Sequence, residues 1–139
     1  MSNFEDVILG NYYYVDKSEF IDKIEHSANF FFFIRPRRFG KSLFLSMLEN
    51  YYDINKKDKF DALFGNLWIG ENPTEQRNSY AVMKLNFSNV SSDPDDCEAS
   101  FNNACNLQFS DFCNYYKNLL PEGTKELLLG NLSYFVTLV

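Results

Sequence analysis

The apolar residues of this chain fall into short runs that are separated by polar turns. Residues 11–15 (N-Y-Y-Y-V) are aromatic and β-branched, which predicts a short strand after the turn at Gly10. Residues 30–34 (F-F-F-F-I) are continuously apolar, a pattern typical of a strand that is covered on both faces of a parallel sheet. Residues 80–87 are the third strand candidate. The pattern therefore predicts about three strands, fewer than the five or so of a typical sheet.

Between these runs, apolar residues recur every three or four positions, which predicts helices. The predicted helices are residues 18–27, residues 41–52, a short helix holding Phe60, Leu63 and Phe64, residues 93–120, and residues 124–129. Asp93 can cap the fourth of these helices, and Pro94 suits its first turn. The chain thus places a buried strand, a loop and an amphipathic helix in direct succession at residues 30–52, which favours an α/β protein.

Composition indicates one globular domain. The chain has 139 residues, of which 45% are hydrophobic, and this is enough apolar material for a core. Its formal net charge of −6 argues against a nucleic-acid binder that relies on a broad basic surface. However, Arg35, Arg37, Arg38 and Lys41 place four cations within seven residues that contain no acid. A dense basic segment on an acidic chain predicts a local anion site.

Other features of the chain predict a cytoplasmic protein without a membrane span. The N-terminus is acidic and lacks the pattern of a signal peptide, and the longest apolar run is far shorter than the ~20 residues of a membrane helix. Cys97, Cys105 and Cys113 lie eight residues apart, which is not the spacing of a zinc site. We expect three reduced thiols along one side of a helix.

The basic segment, residues 35–42, reads R-P-R-R-F-G-K-S. It matches the end of the phosphate-binding pattern G-x-x-x-x-G-K-[ST], in which the glycine admits close approach of phosphate, the lysine contacts the outer phosphates and the hydroxyl contacts Mg²⁺. Gly40, Lys41 and Ser42 fit these roles, whereas Arg35 stands where the pattern has its first glycine. The alternative is an ordinary strand-to-helix turn with a basic surface.

Three segments together resemble the AAA-ATPase-like family. Residues 12–18 (Y-Y-Y-V-D-K-S) are similar to the family's "YYVDKT", residues 33–43 contain its "RPRRFGKS", and residues 45–48 (L-S-M-L) continue the match. Arg35 is normal in this family. The resemblance covers about residues 4–120 and implies that residues 1–139 are the N-terminal part of a P-loop NTPase-like three-layer fold, with an incomplete parallel sheet flanked by helices.

The resemblance and the motif together imply a set of site residues. We expect Lys41 to act on the phosphates as the catalytic residue and Ser42 to hold Mg²⁺. The expected ATP-binding residues are Arg37, Arg38, Phe39, Gly40, Lys41, Ser42 and Leu43. Arg37 and Arg38 either add charge at the mouth of the site or point to solvent. Residues 12–18 are predicted to lie beside the nucleotide, where their rings either pack near the base or cover only a sheet edge.

Hydrolysis is expected to be weak or absent, so the sequence leaves enzymatic activity open. Hydrolysis needs an acid at the end of a second buried strand, the Walker B acid. Residues 80–87 hold Asn86 and no terminal acid, and residues 134–139 end with the chain. Asp53 or Asp111 could reach the metal instead. The predicted sheet would also leave an apolar edge for self-association or for a C-terminal region that this chain lacks.

Two further interpretations stay open. Members of the family are usually longer and often carry a PD-(D/E)XK-type nuclease domain, but none of its residues can be placed on this chain. An interaction protein whose basic loop binds an anionic partner, such as nucleic acid, would use the same residues without hydrolysis. A decayed copy without activity would fail to bind nucleotide or to fold.

Overall fold

The computed structural model describes residues 3–27, 32–34, 36 and 40–120. These residues form two units that are described separately, residues 1–82 and residues 83–139. The helices of the first unit are α1 (Phe4–Leu9), α2 (Glu19–Glu25), α3 (Lys41–Tyr52), a 3₁₀ helix (Ile54–Lys59), α4 (Phe60–Phe64) and α5 (Trp68–Glu71). The second unit contains α6 (Cys97–Tyr115). The predicted helix at residues 124–129 lies outside the described residues.

The core of the first unit is built from aromatic rings on α1, α3 and α4. Phe64 is fully buried, stacks on Phe4 with 5.0 Å between ring centroids, and meets Tyr51 edge-on at 5.5 Å. Such pairs add about 0.5–1.5 kcal/mol each beyond the burial of their area. Met47 and Phe44 extend the same core along α3. The buried stripe of α3 therefore fixes the position of its N-terminal end, where Gly40 and Lys41 lie.

Helix α1 is attached to α3 by a buried hydrogen bond. The N–H of Phe4 donates to Oγ of Ser46 at 3.0 Å, which satisfies one of the N–H groups that the first turn of a helix leaves without an internal acceptor. Glu5, in the same turn, accepts from the ammonium groups of Lys56 and Lys59 on the 3₁₀ helix. The bonds from these two lysines outweigh partial burial and lower the pKa of Glu5.

The predicted parallel sheet is wrong for the residues that the structure describes. They contain no β-strand, and the only ladder contact among them is an isolated parallel bridge between Asp53 and Tyr80. Phe32, Phe33 and Ile34 are not assigned to a strand, and neither are residues 81–87. The expected α/β three-layer fold with an incomplete sheet is therefore wrong for the described residues, which form helices and irregular segments instead.

The physical reason is that an apolar run indicates burial but not a hydrogen-bonding partner. Phe33 stacks on Phe44 of α3 with 4.8 Å between centroids, so one face of this run is covered. Its neighbours Phe32 and Ile34 are 95% and 88% exposed. A sheet needs three or more strands, or cover from a helix, to be stable alone, whereas a helix satisfies its own backbone. In the described residues, packing against α3 holds Phe33.

The second unit is described from Met83 to Leu120. Helix α6 begins three residues later than predicted, at Cys97 instead of Pro94, because Asp93 sits in a turn in which its Oδ1 accepts from the N–H of Asp95 at 3.0 Å. Nε2 of Gln108 on α6 donates to the carbonyl of Asn86 at 2.9 Å. The buried face of α6 includes Cys105 and Phe109. Among the described residues, no helix combines the length and the apolar character needed to cross a membrane.

Candidate functional site

The N-terminus of α3 begins at a left-handed glycine. Gly40 has φ 75° and ψ 17°, a conformation that glycine adopts without steric cost. The first hydrogen bond of the helix runs from the N–H of Phe44 to the carbonyl of Gly40 at 2.9 Å. The N–H groups of Lys41, Ser42 and Leu43 precede it and have no acceptor within the helix. Lys41 and Ser42 are both exposed to solvent.

This helix end carries positive charge without a compensating acid. The first turns of α1, α2, α4, α5 and α6 all contain Asp or Glu, whereas that of α3 contains none and holds Lys41. No side chain among the described residues caps the helix at Gly40. The aligned peptide dipoles place about half a positive charge at a helix N-terminus. The combination of dipole, free donors and Lys41 suits an anion.

A pocket of about 350 Å³ opens beside this helix end. Its described lining consists of Tyr13, Tyr14, Val15, Lys17, Gly40, Leu43 and Phe44. The volume lies in the range of small-molecule sites. Four of residues 12–18 line this pocket together with Gly40, whereas their expected position beside a nucleotide stays a prediction. Arg35, Arg37, Arg38 and Phe39 fall outside the described residues, so those predictions remain untested.

Alternate residues of the tyrosine-rich segment, residues 12–18, face in different directions and have different roles. Tyr14 packs inward, where its ring meets Phe4 edge-on at 5.5 Å and its hydroxyl donates to Sδ of Met47 at 3.2 Å. Burial, with a smaller contribution from the charge of Asp16, raises the pKa of Tyr14 to about 12. Tyr13 and Val15, on either side of it, are 93% and 55% exposed. The inward ring therefore holds the segment against α1 and α3 while Tyr13 faces solvent.

Asp16 ties the end of the segment to α5. Its Oδ1 accepts from the N–H of Ser18 at 2.8 Å, and its Oδ2 accepts from the N–H of Trp68 at 2.8 Å. Burial alone would raise the pKa of this carboxyl, but the hydrogen bonds from Ser18 and Trp68 lower it below its usual value. Oγ of the fully buried Ser18 accepts from the N–H of Ile69 at 3.1 Å. Asp16 thus has a structural role beside the pocket.

Comparison with known proteins identifies the family. The family model described as "Predicted AAA-ATPase" matches residues 1–137 of the chain. The chain belongs to this predicted AAA-ATPase family. Membership links it in general terms to nucleotide-binding proteins, as the resemblance of residues 12–18 and 33–43 implied.

A short stretch of the chain is also similar to one curated protein. The chain is 46% identical over 46 residues to the "Uncharacterized protein in vnfD 5'region" of Azotobacter chroococcum mcd 1. The similar stretch covers 33% of this chain and 9% of that protein, so the chain spans a small part of this relative. No solved structure is significantly similar to the chain.

The carboxylates that the sequence suggested as metal ligands lie away from Ser42 or in the other unit. Asp53 is buried and follows the last turn of α3, eleven residues after Ser42, which places it about 16 Å along the helix axis. Asp111 belongs to α6 in the second unit. Within the described residues, no three His, Cys, Asp or Glu side chains come together as a metal site.

Five lining residues were not among the predicted site residues. Tyr13, Tyr14, Val15 and Lys17 belong to a segment that the sequence placed near the site as a whole, and Phe44 was predicted only beside the apolar stripe of its helix. The alternation of the segment could have identified Tyr13, Val15 and Lys17. If Tyr14 and Asp16 face the protein, then Tyr13, Val15 and Lys17 share the opposite face of an extended backbone.

Proposed function

We propose that the chain binds ATP, with Mg²⁺, through the basic loop at residues 35–42 and the N-terminus of α3. The observation that carries the proposal is the left-handed Gly40, which begins an acid-free helix end at the pocket. Membership of the predicted AAA-ATPase family supports it. A helix N-terminus that follows a glycine loop is a recurrent phosphate site.

The described residues fit a bound triphosphate. A Cβ atom built on Gly40 would meet no atom of the described residues within 4 Å, which supports space for a ligand beside the backbone here. The N–H groups of Lys41, Ser42 and Leu43 would donate to phosphate oxygens, and the ammonium of Lys41 would neutralise the outer phosphates. The hydroxyl of Ser42 would contact Mg²⁺, which bridges phosphate oxygens when bound. Arg37, Arg38 and Phe39 complete the proposed loop.

We further propose that hydrolysis by this chain is slow. A hydrolytic P-loop site uses a second acid on Mg²⁺ and a group that orients the attacking water. Of the two carboxylates that the sequence suggested for this role, Asp53 is at the far end of α3 and Asp111 belongs to the second unit. Both oxygens of Asp16, beside the pocket, accept backbone hydrogen bonds. Lys41 then binds phosphate without a partner that activates water. Steady-state turnover should stay well below the 1 s⁻¹ that is ordinary for enzymes.

Calorimetric titration with Mg-ATP tests the binding proposal. Lys41→Ala removes a charge-assisted contact of about 1.5–3 kcal/mol, so the affinity should fall about 10- to 100-fold. Ser42→Ala should weaken Mg-ATP binding while leaving binding of metal-free ATP almost unchanged. Lys57→Ala is the matched control, because Lys57 is also an exposed lysine of the same unit but lies in the last turn of the 3₁₀ helix. It should bind like wild type.

Two outcomes would contradict the proposal. Equal ATP affinity in the wild type and Lys41→Ala would show that this helix end does not bind the phosphates. Strongly salt-dependent binding to nucleic acid, with no competition by ATP, would favour the interaction protein instead. A turnover near 1 s⁻¹ that Lys41→Ala abolishes would show that a second acid acts in the site.

A further inference from the structure

We propose that Tyr13 is the platform on which the base of the nucleotide stacks, and that the site accepts purine nucleoside triphosphates with little selection between bases. This inference rests on the proposed function, since the phosphates at the N-terminus of α3 set where the base can lie. It assigns a ligand-binding role to the tyrosine-rich segment, which otherwise packs on α1 and α3 and is attached to α5 through Asp16.

The first support is the exposure of Tyr13 on a firmly attached backbone. Its side chain is 93% exposed, although it lines the pocket. The neighbouring Tyr14 is held by Phe4 and Met47, and Asp16 is held by Ser18 and Trp68. An exposed ring on an anchored segment can take up a flat partner without a large loss of backbone freedom. Amphipathic aromatic side chains suit such a contact.

The second support is the composition of the pocket between Tyr13 and Gly40. Leu43, Phe44 and Val15 give it an apolar wall, and Lys17 is its cation among the described lining residues. An aromatic ring holds a base by its face, and every base has such a face, so stacking on Tyr13 would distinguish little between adenine and guanine.

A second copy of this chain is the competing occupant of Tyr13. Phe32 and Ile34 are also strongly exposed in the same unit, so apolar surface is available for self-association. Tyr13 differs from them because it lines a recess that also contains Gly40, the start of α3. A nucleotide matches this recess because its flat base can lie on Tyr13 while its phosphates lie at Gly40. This match favours the nucleotide over another protein surface.

The test compares three ligands, ATP, GTP and inorganic tripolyphosphate, by calorimetric titration in the presence of Mg²⁺. The wild type should bind ATP and GTP with affinities within about threefold of each other, and tripolyphosphate more weakly. Tyr13→Ala should weaken binding of ATP and GTP about 5- to 100-fold, the range that loss of one base-stacking contact gives. The same variant should bind tripolyphosphate like wild type. Tyr13→Phe keeps the ring and should retain ATP affinity within about twofold.

Tyr12→Ala is the matched control, because Tyr12 is the adjacent tyrosine, is 56% exposed, and is not among the described lining residues. It should leave all three affinities unchanged. If Tyr13→Ala binds ATP like wild type while Lys41→Ala weakens tripolyphosphate binding, the base platform is refuted and the phosphate site stands. If neither ATP nor tripolyphosphate binds, both proposals fail. A change in sedimentation but not in ATP affinity on Tyr13→Ala would assign the ring to a protein interface and would also refute the platform.

Discussion

Replacement of Gly40 by alanine should destabilise the first unit through backbone strain alone. Gly40 has φ 75°, and a left-handed conformation costs a residue with a Cβ about 1–2 kcal/mol. The added methyl group would meet no atom within 4 Å, so no steric clash contributes. Alanine also restricts the unfolded chain, which offsets about 0.4–1 kcal/mol of this cost. The free energy of unfolding should therefore fall by about 1 kcal/mol.

The single tryptophan gives a convenient assay for this change. Trp68 lies in α5, and its fluorescence during urea denaturation therefore reports on the unit that contains Gly40. With a urea dependence of about 1–3 kcal/mol per molar for a small domain, the midpoint should fall by roughly 0.3–1 M. Gly40→Asn should lose less stability, because asparagine tolerates the left-handed region better than alanine.

Gly40→Asn should be the more stable of the two variants but should bind Mg-ATP more weakly than Gly40→Ala. The asparagine side chain occupies the space in front of the N-terminus of α3, so Gly40→Asn should weaken Mg-ATP binding more than its stability loss would suggest. If Gly40→Ala is as stable as wild type, or if Gly40→Asn is the less stable of the two, the left-handed conformation does not determine stability at this position.

Three other predictions concern residues around the pocket and on α6. Asp16→Asn should lower the free energy of unfolding in urea at pH 7 by about 1 kcal/mol, the value of a typical hydrogen bond. Since the folded-state pKa of Asp16 is lowered, its contribution to stability is present above the ordinary pKa near 4 and is lost as pH falls through the folded-state pKa. The difference from wild type should therefore shrink in urea titrations taken toward pH 3, and a constant difference would contradict this prediction. Lys17→Ala should weaken ATP and tripolyphosphate binding alike, by a few-fold that diminishes at high salt, and an effect on ATP only would contradict a role toward phosphate. The free thiols should react with a disulfide reagent fastest at the exposed Cys97 and slowest at Cys105, whose pKa burial raises, while stoichiometric zinc in the native protein would contradict three reduced thiols without metal.

The helices were the part of the fold that sequence could predict. The predicted helix at residues 41–52 coincides with α3, and its expected stripe residues Met47 and Tyr51 are buried. Phe60, Leu63 and Phe64 also pack together as predicted. Helical periodicity succeeds here because a helix needs only its own backbone and one apolar face. Helix α1 was missed, since six residues are too few for a periodic pattern and its position depends on the distant Ser46.

The strands could not be predicted in the same way, because their stability depends on partners elsewhere in the chain. Residues 80–87 read as a strand, yet the described contact is a single bridge at Tyr80, beside the end of α3. Helix α6 of the second unit shows that an apolar stripe also predicts only some of the residues that are buried. The spacing of apolar residues in the predicted helix at 93–120 places Cys105, Tyr116 and Leu119 on one buried stripe and leaves Phe109 off it. Cys105 and Tyr116 are buried, but Leu119 is 52% exposed and Phe109 is buried.

The candidate site survives the correction of the fold because its parts do not depend on a sheet. In known phosphate loops a strand brings the chain to the helix end, and here Phe33 does so by stacking on Phe44, one turn after Gly40. The opposite wall comes from the tyrosine-rich segment, which is attached by Tyr14 and Asp16 rather than by ladder hydrogen bonds. Aromatic packing of Tyr14 and the two backbone hydrogen bonds that Asp16 accepts thus hold this segment beside the N-terminus of α3. Loosening either attachment should therefore weaken nucleotide binding even where no substituted residue touches the ligand.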